Sequence, residues 1–208
     1  IANNRLFLES LSLFGIERER IYLMSSSVVK VKRLVISQTT PLTFGHQFTE
    51  AMNELRYRCL NGADFSLIAN RLYIARKNGT NRSIINDEDL SQFLSCYDFT
   101  KVYMEDYPLP VQIGIAASAE WLLGPHGAGM ASSVFMQREG HVFELFSPNY
   151  INPCIISTCQ VLDLEYHQIV SRVAPPNSYR WENQIDAPIE QLRFHFEQII
   201  ARSERLKR

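Results

Sequence analysis

The sequence has little that would tie it to a membrane, a nucleic acid or a metal cluster. No apolar run reaches the ~20 residues that a membrane helix requires. Charge of one sign is also missing. The 21 Lys and Arg against 22 Asp and Glu leave a net charge of −1, which exerts no general pull on nucleic acid or anionic lipid. Four cysteines (Cys59, Cys96, Cys154 and Cys159) make neither a CxxC pair nor a Cys/His metal spacing, so they are expected as reduced, mostly buried thiols. There is no Gly-x-Gly-x-x-Gly after the first strand, no Gly-Lys-Ser/Thr and no Gly-x-Ser-x-Gly. Those absences exclude the dinucleotide fingerprint, the P-loop and the serine-hydrolase elbow. The one Asp-x-Asp pair, Asp87-Glu88-Asp89, falls in the first turn of a predicted helix, where acids suit the helix start and do not suggest a metal-bound diphosphate. The start at Ile1 carries no basic and apolar leader, which argues against a signal peptide and for a processed or partial chain.

What is present is a chain of 208 residues with 46% hydrophobic content, enough for one sizeable domain. Apolar spacing predicts helices over residues 6–14, 44–60, 86–96, 110–118, 128–136, 151–161 and 188–206. Strands are predicted over residues 21–24, 32–37, 71–76, 100–104, 120–123, 141–146 and 165–170. Strands alternating with helices imply a mostly parallel sheet covered on both faces. In such a sheet, ligands bind outside the carboxyl ends of the strands.

The most informative stretch is Leu123-Gly124-Pro125-His126-Gly127-Ala128-Gly129-Met130. A strand that ends in this turn and opens a helix exposes its backbone, because Gly127 and Gly129 lack a Cβ and let a ligand come close. Free N–H groups at a helix start favour an anion such as phosphate. His126 adds a side chain able to donate to an oxyanion or to move a proton. Arg76, Lys77 and Arg82 put three cations around another strand-end loop, where arginine suits bidentate contact with phosphate. Asn86 is placed to cap the next helix. Gln112 opens the helix before the His-Gly strand and reads as surface or as support for the site. Glu144, inside the apolar strand Val142-Phe143-Glu144-Leu145-Phe146, needs a partner or a function. Either hydroxyls of a ribose or sugar, or an arginine of the loop, would satisfy it. His46 is expected as a capping or surface histidine, and His141 and His167 as structural.

These residues, in order, resemble the glycosyltransferase family 61 domain. The resemblance rests on Arg76-Lys77-Asn78-Gly79-Thr80-Asn81-Arg82-Ser83 through Asn86-Asp87-Glu88, then Gln112, then Gly124 to Met130 with Phe135-Met136, and finally Val142 to Phe146. It runs from about residue 8 to residue 170. It implies a metal-independent, inverting transferase of two-lobed GT-B type that takes a nucleotide sugar, commonly UDP-linked. The fold it implies is α/β, a Rossmann-like donor-binding lobe over residues 1–186. A C-terminal helix over residues 187–208 would pack back on that lobe or toward an N-terminal acceptor lobe.

The resemblance also implies roles for individual residues. Arg76, Arg82 and the backbone of Gly127, Ala128 and Gly129 would take the pyrophosphate, with Asn86 and Gln112 counted among the donor-binding residues. His126 would donate to a phosphate or sugar oxygen, and Glu144 would hold hydroxyls. The acceptor, a glycan or polysaccharide as in capsule synthesis, and the catalytic base would belong to the other lobe. Ser132-Ser133 departs from the family's usual Thr/Ser-Asn. The rival expectation is a non-catalytic nucleotide- or sugar-phosphate-binding module. A nucleotide-sugar epimerase is a third. Two glycosylation tripeptides, Asn78-Gly79-Thr80 and Asn81-Arg82-Ser83, fall in the phosphate loop, and a glycan there would crowd it. A cytoplasmic location is therefore expected.

Overall fold

The computed structural model describes residues 5–22, 28, 30–35, 46–77, 82–171 and 184–206. Five strands form one all-parallel sheet: β1 (Arg71–Ile74), β2 (Phe99–Val102), β3 (Trp121–Pro125), β4 (His141–Phe146) and β5 (Glu165–Val170), in the order β2-β1-β3-β4-β5. Around it run α1 (Arg5–Leu13), α2 (His46–Asn61), α3 (Asp87–Ser95), α4 (Leu109–Ser118), α5 (Cys154–Val161) and α6 (Ile189–Leu206). This is the parallel α/β sheet expected from the alternation, and it has the Rossmann-like architecture that the resemblance implies. Among the described residues no helix is long and apolar enough to cross a membrane.

Parallel strands buried on both faces need apolar residues at nearly every position. β3 is buried along its whole length, and β4 beyond its first residue. Successive side chains then go to opposite faces. Leu72, Ile74, Leu122 and Val142 pack with α4 and α5 through Ile115, Ala116, Ile155 and Cys159. Tyr73, Leu123, Phe143 and Leu145 pack on the other face with α3 and α6 through Leu90, Leu94, Leu192 and Phe196. Phe196 is fully buried, its ring centroid 4.9 Å from Phe143, 5.0 Å from Trp121 and 5.4 Å from Phe99. Burying such a ring is worth about 1.5–3 kcal/mol. Thus α6 covers one face of the sheet, in the same core as the strands.

Three expectations change. Residues 21–22 and 32–35 are not strands, and the remainder of those two segments lies outside the described residues. The described residues of both segments find no ladder, and Leu34 and Val35 are exposed. A strand needs a neighbour more than it needs propensity. The helix after the His-Gly turn is a 3₁₀ helix, Ala128–Phe135, opened by a bond from Met130 N–H to the Gly127 carbonyl (2.9 Å). Glycine and serine there give little α preference. The turn must also bring Met130 against Gly124, where a Cβ would lie 2.9 Å from both Met130 Sδ and the Ile74 carbonyl. The helix expected from residue 151 starts at Cys154 instead, because Asn152-Pro153 holds the entry: Cys154 N–H donates to Asn152 Oδ1 (3.0 Å).

Candidate functional site: the carboxyl ends of β1 and β3

The chain order reverses between β1 and β3, since β1 leads to β2 on one side and β3 leads to β4 and β5 on the other. A crevice opens outside the carboxyl ends of the strands at such a point. β1 runs into Ala75-Arg76 and β3 into His126-Gly127, so the sequence places a guanidinium and the glycine turn on opposite lips of that crevice.

Gly127 has φ +152, a conformation L side chains rarely adopt. A Cβ at this position would collide with Arg76 Nη2 and come within 3.5 Å of the Arg82 guanidinium carbon. Both guanidinium groups therefore lie against Gly127, and only glycine leaves room for them. Arg76 Nη2 donates to the His126 carbonyl at 3.4 Å. Arg82 has φ +63, a left-handed backbone for a residue with a Cβ. Its Nε is buried and has no hydrogen-bond partner among the described residues. Its guanidinium sits 5.8 Å over the ring of Tyr150. Burial, then the charge of Arg82, holds the Arg76 pKa below the usual guanidinium value, with Glu105 opposing the shift. Two cations close enough to disfavour each other, one with an unmatched donor, make a place for an anion.

His126 closes the inner wall. Its side chain is almost fully buried, its backbone N–H donates to the Leu145 carbonyl (2.8 Å), and its ring stacks on Phe146 at 5.0 Å. Nδ1 lies 2.7 Å from Glu144 Oε1, and the Tyr166 hydroxyl donates to Glu144 Oε2, also at 2.7 Å. Glu144 is 0% exposed. Leu122, Gly124 and His126 alternate onto the α5 face, and Glu144, in register with Gly124, points the same way. Glu144 thus meets His126 through Oε1 and Tyr166 through Oε2. The carboxylate marks its surroundings: burial first, then its charge, pushes the Cys159 thiol up to about 12 and raises the Tyr166 hydroxyl well above its ordinary value.

The chain matches the Glycosyltransferase 61 family model over residues 5–143. It belongs to that family. A search of curated proteins finds no match. Glycosyltransferase activity is the family's, and the matched stretch takes in Arg76, Arg82, His126 and Gly127 but ends one residue before Glu144.

The other expected donor-site residues of this glycosyltransferase divide. Gln112 lies in the first turn of α4, donates to the Tyr107 carbonyl (2.9 Å) and lines a cavity of about 240 Å³ together with Arg76, Glu105, Pro125, Ala128 and Gly129. Asn86 stands at the N-cap position of α3 but makes no capping bond. Its amide pairs twice with Ala187, accepting from N–H (2.8 Å) and donating to the carbonyl (2.9 Å). Beside it Ile84 bridges Ile185 in parallel fashion. Asn86 thus pins the chain just after Arg82 to the segment that enters α6. Lys77 pairs with Asp106 at the surface. The side chain of His46 and the residues 78–81 with both tripeptide asparagines lie outside the described residues.

Sequence reasoning missed three residues at this edge: Tyr150, whose ring lies 5.4 Å from that of His126, Tyr166, and Ser147, whose buried hydroxyl has no partner among the described residues. Ser147 and Tyr150 follow directly on β4, so the carboxyl-edge rule that selected Arg76 could have selected them. Among the described residues no group of three His, Cys, Asp or Glu side chains is placed to hold a metal ion.

Proposed function

We propose that the crevice between β1 and β3 binds the diphosphate of a nucleotide-sugar donor, and that the sheet is the donor-binding lobe of an inverting, GT-B-type glycosyltransferase. The observation that carries this reading is the convergence of Arg76 and Arg82 on Gly127, with Arg82 Nε unpartnered among the described residues. A diphosphate carries charge complementary to the two guanidinium groups, and their fork geometry suits its oxygens. The backbone of Gly127, Ala128 and Gly129 adds close main-chain approach, and Gln112 borders the hollow beside Arg76. His126 stands at the inner wall, where the sugar–phosphate bond would break.

Charge neutralisation by two arginines makes a divalent metal dispensable for the leaving group. UDP is the expected nucleotide, a glycan or polysaccharide such as a capsule precursor the expected acceptor, and the cytoplasm the expected compartment, where the tripeptides beside Arg76 and Arg82 stay unmodified. Calorimetry with UDP, with and without a chelator, tests the reading. Binding that survives chelation and is lost in Arg82→Ala is the expected result. Affinity that needs divalent metal, or that is indifferent to Arg82, overturns it.

A further inference from the structure

We infer that Glu144 is a positioning residue that fixes His126 as its Nδ1–H tautomer, so that Nε2 is presented as a hydrogen-bond acceptor for a substrate hydroxyl. The inference rests on the nucleotide-sugar reading and assigns a partner to its histidine. An ionised carboxylate only accepts hydrogen bonds. Oε2 is taken by the Tyr166 hydroxyl, which leaves Oε1 for an N–H at Nδ1, 2.7 Å away. A neutral imidazole has one N–H. With the proton at Nδ1, Nε2 holds a lone pair.

Three neighbouring strands build this arrangement. His126 follows β3, Glu144 lies in β4 and Tyr166 in β5. His126 is clamped by the backbone bond to Leu145 and by the rings of Phe146 and Tyr150. Glu144 is fully buried in a layer that otherwise holds Val142, Ile155 and Cys159. A buried carboxylate costs stability unless its partners satisfy it, and both partners here serve to hold one imidazole.

A lone-pair nitrogen repels phosphate oxygens, which Arg76 and Arg82 already serve. The group that meets Nε2 must therefore bring its own proton. In a reaction between a nucleotide sugar and a glycan that group is a hydroxyl, either on the donor or on the acceptor. In this proposal Nε2 accepts from that hydroxyl, where the resemblance implied donation to a phosphate or sugar oxygen.

The whole protein, ¹⁵N-labelled at histidine, is the test object, with His126→Gln used to assign the resonance among five histidines. At neutral pH, without ligand, His126 should show Nδ1–H. Glu144→Gln, nearly isosteric, should move the proton to Nε2, because its amide NH₂ can donate to Nδ1. Finding Nε2–H in the unmodified protein overturns the proposal, and that measurement needs no variant to fold.

Kinetics then separate the two hydroxyl sources. For an acceptor hydroxyl, Glu144→Gln should lower kcat by ~10²–10⁴ while UDP-sugar affinity stays within about twofold. For a donor hydroxyl, UDP-sugar affinity itself should fall about tenfold or more, roughly one lost hydrogen bond to a charged or well-oriented group. A swapped tautomer with kcat and affinity both unchanged overturns the proposal, as does a kcat that rises when the imidazole is protonated at low pH. Should UDP fail to bind the unmodified protein, the nucleotide reading falls, while the tautomer measurement still reports on Glu144 alone.

Discussion

The two ends of the sheet carry differently built hollows. At the amino ends of β4 and β5 lies the larger, about 690 Å³, lined in part by His141, Asp163, Glu165, His167 and Arg202. At the carboxyl end of β1 lies one of about 240 Å³, bordered by Arg76, Gln112 and Gly129. Polar groups at the amino end find one another: His141 Nδ1 meets His167 Nε2 at 3.2 Å, and Asp163 pairs with Arg138. At the carboxyl end two cations crowd one glycine, a buried guanidinium N–H has no partner among the described residues, and its residue sits in a left-handed conformation. An unsatisfied buried donor costs ~1–3 kcal/mol, and a left-handed non-glycine residue costs a similar amount. Volume would select the amino end. Left-handed residues occur at both ends, since Glu139 and Asp163 line the amino-end hollow. The Arg82 donor left unmatched among the described residues selects the carboxyl end, and it is the better guide, because folding alone gives no reason to keep it.

Of the changes that test this comparison, Gly127→Ala should have the largest effect. The new methyl meets the Arg76 guanidinium and must adopt φ +152. Displacing a charge-stabilising group from a transition state typically costs ~10²–10³ in rate. Steady-state turnover and UDP calorimetry on the variant read this, and full activity would show that the guanidinium groups do not depend on the glycine. Arg82 offers a sharper version. Arg82→Gly should lower turnover by the same ~10²–10³. Thermal melts should show stability unchanged or raised by up to ~1 kcal/mol, because glycine relieves the left-handed φ and loses part of that gain to chain entropy. A residue that weakens the fold while serving the ligand is the signature of a binding edge. Loss of stability together with activity would make Arg82 an ordinary structural residue.

The sequence made the edge legible and left the contacts across it hidden. Helix–strand alternation and the apolar runs of β3 and β4 led to a parallel sheet, and the strand-end rule put Arg76 and His126 on one edge. Register is not written in a strand, so nothing told that Gly124 and Glu144 are partners, or that Tyr166 would reach the same carboxylate. Local rules also misled where tertiary contacts competed. Asn86 looks like a cap, but its amide is drawn to Ala187, a hundred residues away. Residues 32–37 look like a strand, but no ladder receives 32–35, the part of them that is described.

A smaller effect belongs to the amino end and depends on pH. Burial, then the neighbouring His141 and His195, lowers the His167 pKa from 6.5 to about 4. The folded protein therefore keeps this ring neutral where the unfolded chain would bind a proton. Stability from this group is complete above pH 6.5 and is lost as pH falls from 6.5 toward 4. A tenfold loss of proton affinity corresponds to ~1.4 kcal/mol, less here because the ring is partly exposed. Thermal melts from pH 7 to pH 4 should show a falling Tm, and His167→Gln should flatten that slope. A Tm that falls equally in the variant would assign the acid sensitivity to other groups.

The smallest effect should follow from Arg202→Ala, which opens the larger hollow without touching the crevice. Arg202 is exposed and lines that hollow. Its charge, after burial and against the opposing pull of Glu165, helps to lower the His141 pKa. Removing it should let His141 accept a proton more easily in the folded state, so acidification costs the variant slightly less. Surface changes of this kind stay within ~0.5 kcal/mol. UDP affinity and turnover should remain within about twofold, since no nucleotide contact is assigned to this end. Calorimetry with UDP decides the point: a tenfold loss of affinity in Arg202→Ala would move the nucleotide to the amino end and invert the comparison between the two hollows.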